Sequence, residues 1–188
     1  MYNKSIYFKT LSFLFLVSVS VFTLAQETTF TDIEFTGVFG GTTYDGNYYT
    51  FPSGSEVWGG FANEDVSIYP LTFTDGGEIT FTGSTAGTDA EVYFRFEYNP
   101  YPDTEPSFNT VSVTVSGMND APYSIELPSQ GANTYSSFLL YVSTPDSPVS
   151  LTDVSLAATF SSTDVYGCID PLADDYNTRA TSQLMDQN

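Results

Sequence analysis

Two stretches of this sequence mix aromatic rings with planar polar groups. YDGNYYTFPSGSEVWGGFANED, residues 44–65, carries Tyr44, Tyr48, Tyr49, Asn63, Asp65 and the only tryptophan of the chain, Trp58. RFEYNPYPDTEPSFN, residues 95–109, carries Arg95, Glu97, Tyr98, Asn99, Tyr101, Asp103 and Asn109. Rings stack on the apolar face of a flat ligand, while amide, guanidinium and carboxylate groups hydrogen-bond its hydroxyls. That combination suits an uncharged sugar. Gly59 and Gly60 beside Trp58 leave room for a ligand or a second backbone; the other reading makes Trp58 a lid over one end of the core. Pro100, Pro102 and Pro106 stiffen the loop that offers Tyr101. Phe96 and Tyr98 read as core positions, and Arg95 either meets the ligand or forms a structural ion pair with Glu97 or a cross-strand acid. The candidate ligand contacts are Trp58, Tyr48, Asn63, Arg95, Glu97, Asn99 and Tyr101.

Several chemistries are excluded. The sequence has no histidine, which removes Ser-His-Asp and Cys-His nucleophile arrangements and histidine-ligated zinc or copper. No strand carries the Glu-x-Asp-x-x-Glu spacing of a jelly-roll β-glucan hydrolase. The acids fall largely in turns, at Asp75, Asp103, Asp120 and Asp146, where solvated loops are expected. The chain is therefore read as non-catalytic.

Charge narrows the partners. The sequence holds 23 acids against four basic residues. Two of those four, Lys4 and Lys9, precede the apolar run LSFLFLVSVSVFTLA, and Thr23 and Ala25 supply the small residues of a cleavage site. Residues 1–25 thus read as a secretory signal, which implies an extracellular or cell-surface location and no membrane insertion after its removal. Arg95 and Arg179 remain as the only cations of the mature chain. Such a surface repels nucleic acid and anionic polysaccharides, and leaves neutral glycans and divalent cations as partners. Calcium takes six to eight oxygens from loops, and Asp170, Asp174, Asp175 and Asn177 form one acidic group able to supply some.

The elements that position these residues read as strands. EVYFRFEY (91–98) alternates, with Val92, Phe94, Phe96 and Tyr98 on one face and Tyr93, Arg95 and Glu97 on the other. TVSVTVS (110–116), EITFTG (78–83), YSIEL (123–127), SFLLYVS (137–143) and VSLTDVSLAA (149–158) follow suit, as do the earlier TFTDIEFTGV (29–38), NYYTF (47–51) and VSIYPLTF (66–73). Pro70 marks the last as bulged, broken or at an edge. YDGN, TDGGE and SGMNDAP supply the turns. Short strands at regular spacing predict an all-β fold, an antiparallel two-sheet β-sandwich or jelly roll over residues 26–160. Residues 161–188 form a linker and an irregular tail.

Two resemblances sharpen these expectations. YSIELPSQGANTYSSFLLYVSTPDSPVSLTDVSL (123–156) resembles the C-terminal half of secreted carbohydrate-binding modules of the galactose-binding-like and β-glucan-binding type. That resemblance implies a non-catalytic module for a neutral polysaccharide such as a marine β-glucan. It also implies a structural calcium held by Asp153 on the last strand, with Asp32 and Glu34 as partners. YGCIDPLADDYNTRAT (166–181) is similar to a Gly-Cys-x-Asp-Pro module appended to surface proteins of marine Bacteroidetes. The tail resemblance implies a partner for Cys168 beyond Asn188, and further domains of the same polypeptide there. The other functional readings are a structural or adhesion spacer and an accessory fragment of a larger polysaccharide hydrolase.

Overall fold

The computed structural model describes residues 25–161; all but the last residue of the expected signal at residues 1–25, and the Cys168 tail, lie outside the described residues. The strands are β1 (Ala25–Phe30), β2 (Gly37–Phe39), β3 (Thr43–Tyr44), β4 (Tyr49–Thr50), β5 (Gly60–Ala62), β6 (Leu71–Thr72), β7 (Gly76–Thr85), β8 (Ala90–Glu97), β9 (Ser107–Asn109), β10 (Val113–Val115), β11 (Ala121–Leu127), β12 (Thr134–Tyr135), β13 (Ser137–Val142) and β14 (Val149–Ser161). One six-stranded sheet has the order β11-β7-β14-β4-β3, with β1 also on β14; the second has the order β10-β8-β13-β5-β2, with β9 also on β8. Every pairing is antiparallel. The chain crosses between the sheets repeatedly, and β6 and β12 form a separate two-stranded ribbon. The expected all-β two-sheet sandwich is the observed architecture. Among the described residues no helix is long and apolar enough to cross a membrane.

Alternation builds the core. In β8, Ala90, Val92, Phe94 and Phe96 are buried, and in β13 Phe138, Leu140 and Val142 are buried on the same side of the sheet. Ile79 and Phe81 of β7, Ile125 and Leu127 of β11, and Val154 and Leu156 of β14 meet them from the other sheet. Phe96 stacks on Phe138 at 4.4 Å between ring centroids, and Phe35 meets Phe138 edge-on at 5.0 Å. A period of two sends the intervening residues outward. Tyr93, Arg95 and Glu97 of β8 therefore share the outer face of the second sheet with Ser137, Leu139 and Tyr141 of β13.

Several expected strands are shorter than their sequence pattern, NYYTF (47–51) among them, of which only Tyr49–Thr50 forms a strand. Residues 66–73 fold as a 3-10 turn, Val66–Ile68, followed by the two-residue β6, because Pro70 removes a ladder donor in mid-run. The run 29–38 breaks where Asp32 takes a left-handed φ of 56°, leaving β1 and β2 in different sheets. Of residues 110–116 only Val113–Val115 pair, and Val111 stays exposed.

Candidate functional site

The outer face of the second sheet is organised in three ranks that cross the strands. The first is aromatic. Tyr93 and Tyr141 are cross-strand partners whose rings stack at 5.0 Å and 5°. Phe39 of β2 meets Tyr141 edge-on at 6.1 Å, and Trp58 lies parallel to Phe39 at 6.4 Å. The second rank is aliphatic, Leu139 opposite Ala62, flanked by Arg95. The third is polar: Glu97 of β8 sits between Ser107 of β9 and Ser137 of β13, with Asn63 just beyond β5. Asn63 N donates to the Phe138 carbonyl at 2.9 Å, which fixes it beside this rank.

Gly60 holds the aromatic rank together. A Cβ there would come within 2.9 Å of both the Phe39 and Tyr141 rings and 3.0 Å of the Leu140 carbonyl oxygen. Only a residue without a side chain lets the two rings close over β5. Gly40 plays a similar part for Trp58. It takes a φ of 70°, and a Cβ would sit 2.4 Å from Gly59 Cα. The loop 52–59 therefore packs flat on the turn after β2, pinned by Glu56 N to the Gly40 carbonyl at 2.8 Å and Gly59 N to the Glu56 carbonyl at 2.7 Å. Thr42 Oγ1, buried beneath, reaches the Gly60 carbonyl at 2.8 Å. At its far end the loop is tied to Asp146, whose carboxylate accepts from Ser53 N at 2.8 Å and from the Ser53 hydroxyl. These bonds hold the Asp146 carboxyl below the usual carboxylate range.

Walls convert the face into a groove. Trp58 and Phe39 stand at one side; Pro100, Tyr101 and Thr104 stand at the other. Leu139, Tyr141, Ala62, Asn63, Glu97, Ser136 and Ser137 form the floor of this cleft of about 790 Å³. The Tyr101 loop is held by its own backbone, Tyr98 N donating to the Thr104 carbonyl at 3.1 Å and Asn99 N to the Asp103 carbonyl at 3.2 Å. Trp58 is 57% exposed and Tyr101 is 89% exposed, so both rings are presented to the groove and solvent rather than packed in the core.

Electrostatics in the groove are nearly neutral. Arg95 Nε donates to Glu97 Oε1 at 2.7 Å. Burial, with the nearby Glu97 carboxylate and Tyr93 adding to it, pushes the Tyr141 hydroxyl up to about 12. Tyr141 is thus a neutral hydrogen-bond donor over the physiological range. Tyr69, pushed up to about 12 chiefly by burial, sits behind Asn63. Its hydroxyl lies 3.1 Å from Asn63 Oδ1, and Asn63 Nδ2 donates to the Glu34 carbonyl at 2.8 Å. The Asn63 amide is held rigidly, with one of its two N–H groups already used.

The structure brings Trp58, Asn63, Glu97 and Tyr101 to one groove. It does not bring Tyr48 or Asn99 there. Tyr48 ends the β3–β4 turn, its N–H bonded to the Asp45 carboxylate at 2.8 Å. Asn99 bonds Asp103 at 3.2 Å within the loop that carries Tyr101. Arg95 borders the groove but faces its brace: Nη1 to Asn109 Oδ1 at 3.1 Å and Nη2 to Ser107 Oγ at 2.8 Å. Phe39, Ser137, Leu139 and Tyr141 were not among the candidates. A signal for three of them lay in SFLLYVS, whose odd positions share a face.

Asp153, Asp32 and Glu34, the residues expected to hold calcium, do not line one shared recess. Asp153 lies over the outer face of the first sheet beside Thr80, Thr82 and Ser124, whereas Asp32 and Glu34 line a separate recess with Thr36, Glu64 and Asp65. Among the described residues no three acidic side chains gather as a metal-binding group. Asp153 has another local role: it takes a φ of 52° where β14 shifts register between Thr152 and Ser155. Aspartate tolerates that left-handed conformation better than most residues.

No protein-family model and no curated protein matches the sequence. Among solved structures the chain is similar to a family 29 carbohydrate-binding module from Piromyces equi, at 14% identity and a TM-score of 0.44, over 71% of this chain and 91% of that one. A variant family 29 module complexed with mannohexaose matches at 12% identity and a TM-score of 0.48, over 70% of this chain and 92% of that one. Another, complexed with cellulohexaose, matches at 12% identity and 0.44, over 69% and 91%.

Proposed function

We propose that the chain is a secreted, non-catalytic module that binds a neutral polysaccharide, with a β-glucan as the expected ligand. The observation that carries this reading is the rank order of the groove. Aromatic rings, an aliphatic strip and a polar rank run side by side, matching a sugar chain with apolar ring faces and hydroxylated edges. Trp58, Phe39 and Tyr141 would stack on pyranose rings, Tyr101 would cover the opposite side, and Asn63, Ser137 and Glu97 would bond hydroxyls. Glu97 is the single acid among the described residues lining the groove, and hydrolysis of a glycosidic bond takes a pair. The surrounding excess of acid disfavours uronic and sulfated chains.

The test is a titration of the full secreted chain with laminarihexaose, cellohexaose and mannohexaose, with alginate oligomers as the anionic comparison. Saturable binding of at least one neutral hexasaccharide and none of alginate is expected. Binding of alginate alone, or of none, contradicts the reading. Calcium remains a separate proposal: adding a chelator leaves glycan affinity unchanged if the groove works without the metal.

A further inference from the structure

In the polar rank of the groove, the Glu97 carboxylate is buried with part of its accepting capacity unused. Glu97 is only 7% exposed. Its Oε1 accepts the short bond from Arg95 Nε at 2.7 Å, but among the described residues its Oε2 has only Ser137 Oγ, at 3.4 Å. A carboxylate has about four lone-pair positions, and a buried acceptor left unmatched is costly. Glu97 and Ser137 both line the groove, so the under-used oxygen is accessible to what occupies it.

Arg95 is oriented the other way. Its Nε is committed to Glu97, Nη1 to Asn109 and Nη2 to Ser107, with Glu105 Oε1 a further 3.8 Å from Nη2. Ser107 is in turn held by Glu105, its hydroxyl donating at 2.8 Å. The guanidinium therefore closes a brace across β8 and β9, and it is absent from the groove lining. A planar, forked donor suits this task better than a lysine.

We infer that Glu97 Oε2 is the specificity acceptor of the groove, taking a hydrogen bond from a ring hydroxyl of the bound glycan, and that Arg95 is a positioning residue that aims this carboxylate without touching the ligand. The inference rests on the glycan reading of the groove and adds to it. Aromatic stacking tolerates substitution at the sugar edge; Glu97 does not. An ether at that edge leaves Oε2 unpaired, and a carboxylate there meets like charge.

The experiment is calorimetric titration of the full chain with laminarihexaose, cellohexaose and mannohexaose and with their per-O-methylated forms. The native protein is expected to prefer the free sugar. Glu97→Gln, which keeps the shape and replaces one acceptor oxygen by a donor, is expected to narrow that preference about tenfold to a hundredfold, as for loss of a charge-assisted bond. Affinity for the methylated sugar should stay within about twofold, because stacking is untouched. Arg95→Met should narrow the preference as Glu97→Gln does, while Arg95→Lys should restore part of it. Should Glu97→Gln fail to fold, Asn109→Ala loosens the brace from its exposed side and should narrow the preference severalfold. An undiminished preference in these variants overturns the assignment, as does an equal loss for both sugars, which marks a structural role. No binding of any sugar by the native protein overturns the glycan reading, and this assignment falls with it.

Discussion

The indole of Trp58 lies parallel to the ring of Phe39, with 6° between the planes and 6.4 Å between centroids, although one comes from a loop and the other from strand β2. Two glycines make this geometry possible. Gly40 admits the loop, and Gly60 admits Phe39 against Tyr141. The result is an aromatic strip supported from below by the sheet and exposed above.

Removing the end of that strip should separate binding from stability. Trp58 is more than half exposed, so Trp58→Ala should leave the thermal midpoint within a few degrees of native. Affinity for a neutral hexasaccharide should fall about tenfold or more, the scale of losing one stacked ring in a ligand site. Calorimetry on the same sample reads both quantities. A collapse of the midpoint would make Trp58 a core residue instead.

Gly60→Ala should damage both. The new methyl meets two rings and a carbonyl oxygen within 3.0 Å. Overpacking of this kind costs about 1–3 kcal/mol, to be read as a lower midpoint in chemical denaturation. The displaced Phe39 and Tyr141 rings should also weaken sugar binding.

Phe96→Ala tests the core that carries the groove. Phe96 is fully buried, stacked on Phe138 and on Phe108. Its loss should cost about 3–5 kcal/mol in denaturant unfolding. Being on the inner face, it should affect sugar affinity only through the folded fraction.

Alkaline pH should destabilise the fold before it ionises the groove. Burial raises Tyr69 and Tyr141 to about 12 in the folded chain, against an ordinary value of 10.0. Above pH 10 the unfolded chain loses these protons first, so it binds fewer protons than the native state. Stability is therefore full below pH 10 and falls as pH rises from 10 to about 12. Ultraviolet titration of tyrosinate, followed beside unfolding, should show these two groups ionising late or together with the fold's loss.

The sandwich was readable because strands such as β8 alternate without interruption. Phe94 and Phe96 fall inside and Arg95 and Glu97 outside as a period of two requires. Trp58 was left open between platform and core lid, since its glycines suit either reading; its ring is more than half exposed and lies parallel to Phe39, as the proposed platform role requires. Tyr141 was harder to see. SFLLYVS is apolar on both faces, and composition alone does not say which side meets the core. Ala62 and Phe39 were hidden because β5 and β2 are three residues each, too short to show a period. Arg95 carried two readings, and its full set of partners places it in the brace. Calcium at Asp153 came from the resemblance alone; in the fold Asp153 takes a left-handed φ where β14 shifts register, which no alternation pattern reveals.

The sole tryptophan gives the most direct measurement. The full chain is titrated with laminarihexaose, cellohexaose and mannohexaose while Trp58 fluorescence is followed, and the same titration is run calorimetrically on Tyr141→Ala. A saturable fluorescence shift with at least one neutral sugar, and its affinity lowered about tenfold or more in Tyr141→Ala, is the predicted result. Fluorescence unmoved by all three sugars, or binding undisturbed by Tyr141→Ala, would contradict the claim that this face holds a glycan and leave the sandwich as a spacer.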